Sequence, residues 1–326
     1  MNILITGGAG YLGFQVVKDF LDNYPNSKII VYDNLSRGRV EFLSSLITGY
    51  NERLVIIPNE RADIRDFANF EAVLKEYSPE IVVNLAAIVD AFSTNRPGKD
   101  LECDIVNREA AIRIARISKN MKVKIFVQQS SVSVYSKGEE LKENSEKNPL
   151  SVYGKSKLDA EKEILEMNSP EFGTIILRSA TLVGYTPGFT YQTIINLACI
   201  RAIYDVPIII FESAWEGRKT FLDVKDESRA INFVIKNINK TAGEIFNVSS
   251  FHTSLKEVIH HLEQILGRKI NYFIKPEKTI NQQVYTINSD KIKSLGFSPE
   301  GNLEMVLEST IKKLLDRRRF FEEEEN

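Results

Sequence analysis

The sequence predicts an α/β fold, a doubly wound parallel sheet with a smaller C-terminal α/β lobe, from three observations over its 326 residues. Short β-branched runs alternate with amphipathic helical patterns through the first half. The first such run opens directly into a glycine-rich turn. After residue 178 the alternation loosens, with Gly184, Pro187, Gly188 and Pro207 punctuating the chain. Strands are read over Asn2–Thr6, Lys28–Tyr32, Arg53–Pro58, Glu80–Leu85, Lys124–Gln129 and Thr174–Leu177. Helices are read between them over Tyr11–Asn23, Asp66–Tyr77, Lys99–Asn120 and Val152–Met167, and later over Gln192–Tyr204, Ser228–Asn237, Ser254–Leu266 and Leu303–Arg318. Strand–helix alternation of this kind places helices on both faces of a parallel sheet. The segment Ile105–Ile117 is apolar over more than one stripe, which either deeper burial in the monomer or a helix-bundle dimer interface explains.

Composition excludes several classes. Lys plus Arg total 42 against 44 for Asp plus Glu, a net charge of −2, so no field draws in nucleic acid or an anionic membrane. The longest apolar runs, Ile81–Val89 and Val206–Phe211, are far short of a span of about 20 residues, and no signal segment precedes the first strand, so a cytoplasmic location is expected. Cys103 and Cys199 have no metal-binding or disulfide neighbourhood and read as core thiols. The three histidines, His252, His260 and His261, all fall late in the chain, which disfavours a metal site and Ser/His/Asp chemistry. The tail Arg317–Asn326 reads as a solvated, frayed end.

The turn Gly7-Gly8-Ala9-Gly10-Tyr11-Leu12-Gly13 joins strand to helix. Gly8, Gly10 and Gly13 fit G-x-G-x-x-G, while Gly7, Gly10 and Gly13 give the related G-x-x-G-x-x-G spacing. Such glycines let backbone approach a pyrophosphate and aim helix N–H groups at it, so this strand–turn–helix is expected to open a dinucleotide-binding Rossmann domain. Asp33, twenty residues after Gly13, is placed to accept hydrogen bonds from the adenosine ribose, which favours NAD over NADP, although Arg37 and Arg39 lie close by. Asp63 follows the third strand and either caps the next helix or contacts adenine.

Tyr153 and Lys157 lie one turn apart on one helix face. An ammonium beside a phenol, with the positive nicotinamide ring, lowers its pKa from near 10 and makes a proton acceptor. Ser130, Ser131 and Ser133 follow the fifth strand, where a hydroxyl would orient a substrate oxygen.

With these residues stand Thr6–Gly13, Val31–Gly38, Asp63–Asp66, Asn84–Ala87, Ser130–Tyr135, Tyr153–Lys157, the segment 181–187 and Lys219–Asp226. Together they resemble the extended short-chain dehydrogenase/reductase superfamily, and within it the NAD-dependent epimerase/dehydratase family exemplified by UDP-glucose 4-epimerase. The resemblance spans nearly the whole chain. It implies a catalytic triad of Ser131, Tyr153 and Lys157, and NAD contacts from Gly7, Gly10, Tyr11, Leu12, Gly13, Asp33, Asn34, Ser36, Arg37, Asp63, Ile64, Leu85, Ala86, Ala87 and Asn107. It implies substrate contacts from Ser131, Thr181, Asn196 and Lys219, where Thr181 replaces a usual Asn and Lys219 a usual phosphate-binding Arg. Asn84 stands for a usual His, Ser136 for a usual Gly, and the family's late Arg-Pro-Gly-Asp element has no counterpart near Lys275–Thr279.

The domains implied are 1–178 for NAD and 179–326 mainly for a nucleotide-sugar substrate, the two interleaved, in a homodimer with no metal. The leading function is a nucleotide-sugar epimerase, most simply a 4-epimerase, acting by transient hydride transfer. A nucleotide-sugar reductase or dehydrogenase and a non-catalytic dinucleotide sensor are the alternatives; an intact Ser131, Tyr153 and Lys157 disfavours the sensor. A 4,6-dehydratase is disfavoured because Val132-Ser133 occupies the place of that chemistry's Asp-Glu pair. A roomy pocket is expected around Ala87–Arg96 and Tyr185–Tyr191.

Overall fold

A strand buried between two helix layers must be apolar on both faces, and Ile3, Leu4 and Ile5 of the first strand are fully buried. The computed structural model describes residues 1–50, 52–89, 99–136, 138–276 and 285–324, with 99 and 318–324 as backbone alone. In it β1 (Asn2–Thr6), β2 (Lys28–Tyr32), β3 (Leu54–Ile56), β4 (Ile81–Asn84), β5 (Ile125–Ser131), β7 (Gly173–Ser179) and β11 (Glu244–Val248) form one seven-stranded sheet. Their order is β11-β7-β5-β4-β1-β2-β3, and every pair is parallel.

Alternation along the strands divides the core in two. Ile3, Ile5, Ile29 and Val31 pack with Val16, Val17 and Phe20 of α1 (Tyr11–Asn23) and with Ala230, Ile231 and Val234 of α9 (Val224–Lys236). Leu4, Ile30, Val82 and Phe126 face the other way, onto Phe70 and Val73 of α3 (Phe67–Tyr77), Ile112 and Ile114 of α5 (Ala111–Asn120), and Ala160 and Ile164 of α6 (Val152–Glu166). Residues after 178 feed this sheet through β11 and α9. They also build a separate core from α7 (Ile194–Ile203), α11 (Leu255–Leu266) and α13 (Leu303–Glu324) against β8 (Thr181–Val183), β9 (Ile208–Phe211) and β10 (Lys219–Asp223). Strand β10 pairs with β8 and β12 (Phe251–Thr253), β9 with β13 (Tyr272–Lys275), and β6 (Gly138–Leu141) with β14 (Tyr285–Ile287). The remaining helices, α2 (Ser44–Tyr50), α8 (Glu212–Trp215), α10 (Ile238–Thr241) and α12 (Asp290–Ser294), are short connectors.

Several expected bounds shift for identifiable reasons. The edge strand β3 keeps three residues because Pro58, which has no N–H to offer a neighbour, leads into a 3-10 turn at Asn59–Arg61. Helix α9 starts at Val224 rather than Ser228, since the Asp223 carboxylate accepts the Lys225 N–H at 3.0 Å as its cap. The run expected as one helix over Lys99–Asn120 is continuous, but it passes from α4 (Lys99–Asp104) to α5 through a π-helical turn at Ile105–Ala110. Val106, Ala110, Ala111, Ile112, Ile114 and Ala115 in this run are buried inside the monomer, while Glu109, Arg113 and Arg116 are exposed, so burial within one chain accounts for its excess of apolar residues. The tail expected to fray continues as α13 to Glu324. Cys103 and Cys199 are both buried free thiols.

One buried ion pair ties the sheet to its helices. Arg178 of β7 and Glu161 of α6, each 2% exposed, meet at 2.7 Å through Nη2 and Oε2. Arg178 Nη1 also donates to the Tyr135 hydroxyl at 2.9 Å and the Glu143 carbonyl at 3.0 Å, Ser130 donates to Glu161, and Tyr135 donates to Asn247 of β11 at 2.9 Å. A buried pair of this kind adds little net stability, yet removing one partner strands the other charge. Arg178→Met is therefore expected to cost about 3–5 kcal/mol by chemical denaturation. Arg178→Met combined with Glu161→Met should recover most of that loss, and full additivity of the two would refute the pairing.

Candidate active site

At the end of β1 the chain turns through Gly7 with φ of +69°, a conformation L side chains rarely adopt, and a Cβ there would lie 2.9 Å from Ala86 N. Gly13, in the first turn of α1, lies so close beneath that a Cβ would sit 2.1 Å from the Gly7 carbonyl oxygen. α1 has no side-chain cap at Gly10 and no acidic residue in its first turn, so its N-terminal N–H groups and dipole are left for an anion. Gly7, Gly10, Tyr11, Leu12 and Gly13 form one end of a cavity of about 880 Å³, a size typical of small-molecule sites.

The carboxylate of Asp33 accepts Ala9 N–H at 3.0 Å and Leu35 N–H at 2.8 Å; burial raises its pKa and these bonds oppose the rise. Asn34, Ser36 and Arg37 follow it along the cavity wall, and Arg37 donates to the Val89 carbonyl across the mouth at 2.8 Å. Asp63 does not cap α3, because Asp66 takes that role by accepting Asn69 N–H at 3.0 Å. Asp63 instead accepts from Asn34 Nδ2 at 2.9 Å and pairs with Arg65 at 2.6 Å, whose guanidinium holds its pKa down at about 2. Ile64, Leu85, Ala86 and Ala87 complete this wall.

The far end holds Ser131, Tyr153 and Lys157. Ser131 and Tyr153 line the same cavity, and Ser133 donates to Ser131 Oγ through its N–H at 3.2 Å and its hydroxyl at 2.9 Å. Lys157 Nζ stands 5.9 Å from the centre of the Tyr153 ring and donates to the Gln129 carbonyl at 2.9 Å. Burial pushes Tyr153 up to about 12, against which the Ser131 hydroxyl acts, and burial holds Lys157 down at about 8. Beyond them lie Thr181 and Lys219, the latter also held at about 8 by burial. The expected roominess appears at Ala87, Ile88 and Val89 and at Gly188 through Tyr191; residues 90–96 lie outside the described ones.

Two expected contacts are used elsewhere. Asn107, fully buried in the π-helical turn, accepts Ile88 N–H and donates to the Ile88 carbonyl, both at 2.9 Å, so it clamps the loop after β4 and does not line the cavity. Asn196 is fully buried as well, accepting Gly184 N–H at 3.1 Å and donating to Thr190 O at 3.0 Å and the Tyr11 hydroxyl at 3.2 Å. Its amide is spent on holding the 184–190 loop against α1.

Thr6 and Asn84, to which the sequence assigned no role, join Gln128 and Gln129 in a polar ladder. Thr6 Oγ1 donates to Asn84 at 2.5 Å, Asn84 Nδ2 to Gln128 at 2.8 Å, and Gln128 Nε2 to the Gln129 carbonyl at 2.9 Å. Its sequence signals are the polar run Gln128–Ser131 that ends a central strand opened by Ile125-Phe126-Val127, and Asn84 at the end of the apolar run Ile81–Val83.

Residues 3–249 match the NAD dependent epimerase/dehydratase family. The chain belongs to that family. Among curated relatives, the dTDP-glucose 4,6-dehydratase of Salmonella typhimurium is 25% identical, over 96% of this chain and 92% of its own. The UDP-glucose 4-epimerase of Rhizobium meliloti is 22% identical, over 94% and 95%. Among solved structures, UDP-glucose 4-epimerase from Bifidobacterium longum in complex with NAD+ and UDP superposes with a TM-score of 0.84 at 21% identity, over 95% of this chain and 97% of that one.

The glycine cradle, which any Cβ at Gly13 would fill, and the Asp33 carboxylate beside it suit the pyrophosphate and ribose of NAD. Among the described residues no group of three His, Cys, Asp or Glu side chains is disposed to hold a metal ion.

Burying a lysine ammonium costs stability. A folded pKa near 8 against 10.5 corresponds to roughly 3 kcal/mol below pH 8. Between pH 8 and 10.5 the unfolded chain binds the proton that the folded one has lost, so this penalty shrinks as pH rises. Lys157→Met is expected to raise stability at pH 7 by about 1–3 kcal/mol and to flatten that pH dependence, as read by denaturation at pH 7 and pH 10. A clear loss of stability at pH 7 would show that Lys157 is held there by attraction instead.

Proposed function

We propose that the protein is an NAD-dependent nucleotide-sugar epimerase acting at C4 of the sugar. One observation carries the proposal: Ser131, Tyr153 and Lys157 converge at one end of a cavity whose other end is the glycine turn and Asp33. Between them Val132 and Ser133 offer no carboxyl pair to eliminate water, and Ser133 is committed to Ser131. The epimerases among the relatives and structural neighbours support the same reading.

NAD, when bound, supplies the hydride acceptor and donor at the sugar carbon. Tyr153 accepts the proton of the sugar hydroxyl and later returns it, and Ser131 holds the reacting oxygen. Its pKa near 12 makes Tyr153 a weak base without help, and the help is cationic: Lys157, pinned by the Gln129 carbonyl, presents its ammonium to the ring face. Lys219, with Thr181, is assigned to the substrate diphosphate. The proposal includes a homodimer in the cytoplasm. The two buried free thiols suit a reducing compartment, and light scattering on the purified protein reads the oligomeric state.

Tyr153→Phe should keep NAD bound and lower turnover at least about a hundredfold. In deuterated water, a responsive nucleotide sugar should give its epimer with no carbon-bound solvent deuterium and no accumulated NADH. Deuterium at carbon, or stoichiometric NADH, would establish deprotonation at carbon or net dehydrogenation in its place. Because a 2′-phosphate would lie against the Asp33 carboxylate, NAD should bind at least about tenfold more tightly than NADP. Titration of both into the cofactor-free protein checks this, and equal affinities would mean that Arg37 or Arg39 outweighs Asp33.

A further inference from the structure

Behind the catalytic wall lies a carboxyl group that the proposed reaction does not use. Alternation along β5 and β7 turns Ser130 and Arg178 toward Glu161 of α6, and turns Gln129 and Ser179 toward α9. There the fully buried Glu227 accepts the Ser179 hydroxyl at 2.7 Å through Oε1, and Ser179 accepts from Gln129 Nε2 at 2.5 Å. Two atoms of this cluster, Glu227 Oε2 and Gln129 Oε1, are buried acceptors with no hydrogen-bond partner. Ser179 and Gln129 both line the cavity, while the carboxyl itself is sealed from it.

An ionised carboxylate so placed lacks both a cation and a full set of donors, whereas a proton on it would supply the missing donor. The charged groups around it are directed elsewhere. Asp226 on its own helix is taken up by Arg229, Ser250 and the backbone of Glu300 and Gly301. Asp223 of β10 caps α9, Arg178 of β7 is paired with Glu161 on the opposite face of the sheet, and Lys240 of α10 is exposed. α1 offers the uncharged Gln15, and Lys157 reaches only the far side of the same Gln129, at its carbonyl.

We propose that Glu227 is stored as a neutral acid and releases its proton when a cationic ring occupies the catalytic end of the cavity, so that it balances the charge of the oxidised cofactor but not of the reduced one. This rests on the proposed function only for the identity of that cation. For release the Ser179 hydroxyl turns from Glu227 toward the cavity it lines, gives its proton to water there, takes the proton of Glu227 and so ends again as donor to the now ionised carboxylate. Burial sets the group up for this by raising its pKa to about 7, with the Ser179 bond and the nearby Gln129 amide opposing. Glu227 is thus a positioning residue for charge and touches neither substrate nor cofactor.

The test is calorimetric titration of NAD+ and of NADH into the cofactor-free full chain near pH 7, in two buffers of different ionisation enthalpy, which counts the protons released. NAD+ should release more protons than NADH, roughly half a proton more from this group. That part of the excess should disappear in Glu227→Gln and survive in Tyr153→Phe. An undiminished release in Glu227→Gln overturns the proposal. Infrared spectroscopy of the wild type needs no variant: a protonated-carboxyl stretch should be present below pH 7 and fade when NAD+ binds, and a wild type without that stretch also overturns it. If neither dinucleotide binds, the proposed function fails, while the infrared titration still decides whether Glu227 is stored as an acid.

Discussion

The carbonyl of Gln129 is the point on which the two ends of the site depend. It accepts Lys157 Nζ and Gln128 Nε2, each at 2.9 Å, and so closes a one-way chain of hydrogen bonds that begins at Thr6 and crosses β1, β4 and β5. Thr6 is the last residue before the glycine turn, and its hydroxyl also accepts Ala86 N–H at 3.2 Å. The same ladder therefore sets the loop after β4, which walls the cofactor end, and the ammonium that serves Tyr153. Parallel pairing makes this possible, because Thr6, Asn84 and Gln128 are register partners at the carboxyl ends of neighbouring strands. Polar side chains in such a buried row are tolerable only when each is satisfied, and here each donor along the row has its acceptor.

Two buried carboxyls on opposite faces of the sheet divide the work. Glu161 meets a full guanidinium and Ser130, and it locks α6, which carries Tyr153 and Lys157, onto β5 and β7. Glu227 meets the Ser179 hydroxyl alone, so its charge stays responsive to what lies in the cavity. Burial acts likewise on Lys157, Lys219 and Tyr153, each moved toward its neutral form. The fold thus carries a site that is unfavourable to charge and becomes favourable through cationic ligands and anionic phosphates. Stability is given up for this, the ordinary trade in sites tuned for proton transfer.

The first half of the fold was legible in the sequence because β1, β2, β4 and β5 are short apolar runs followed by turn residues and helical periodicity. The glycine turn, Asp33 and the Tyr153–Lys157 spacing were legible because each carries its chemistry in local spacing. Strand β11 was not, since five residues after a long helical stretch give no local hint that they return to the far edge of the sheet beyond β7. The bonds that Asn107 and Asn196 make to loops were not legible, because a motif position does not disclose where an amide points. Both sit beside the cavity, and both are turned away to hold a loop. The ladder and Glu227 were hidden for a related reason. Their members are far apart along the chain, and polar residues in buried strands and helices carry no period of their own.

One hydrogen-bonded row supports the cofactor end and the catalytic end together. Asn84→Ala removes its middle member, leaving Thr6 without its acceptor and Gln128 without its donor. The decisive measurement is NAD affinity together with the single-turnover rate at saturating NAD in that variant, alongside its far-UV circular dichroism to confirm the fold. The account predicts that both fall, each by about tenfold or more, the equivalent of roughly 1.4 kcal/mol from a broken buried bond. Loss of affinity with an unchanged rate, or a lowered rate with unchanged affinity, would contradict it, because the two ends would then be held independently.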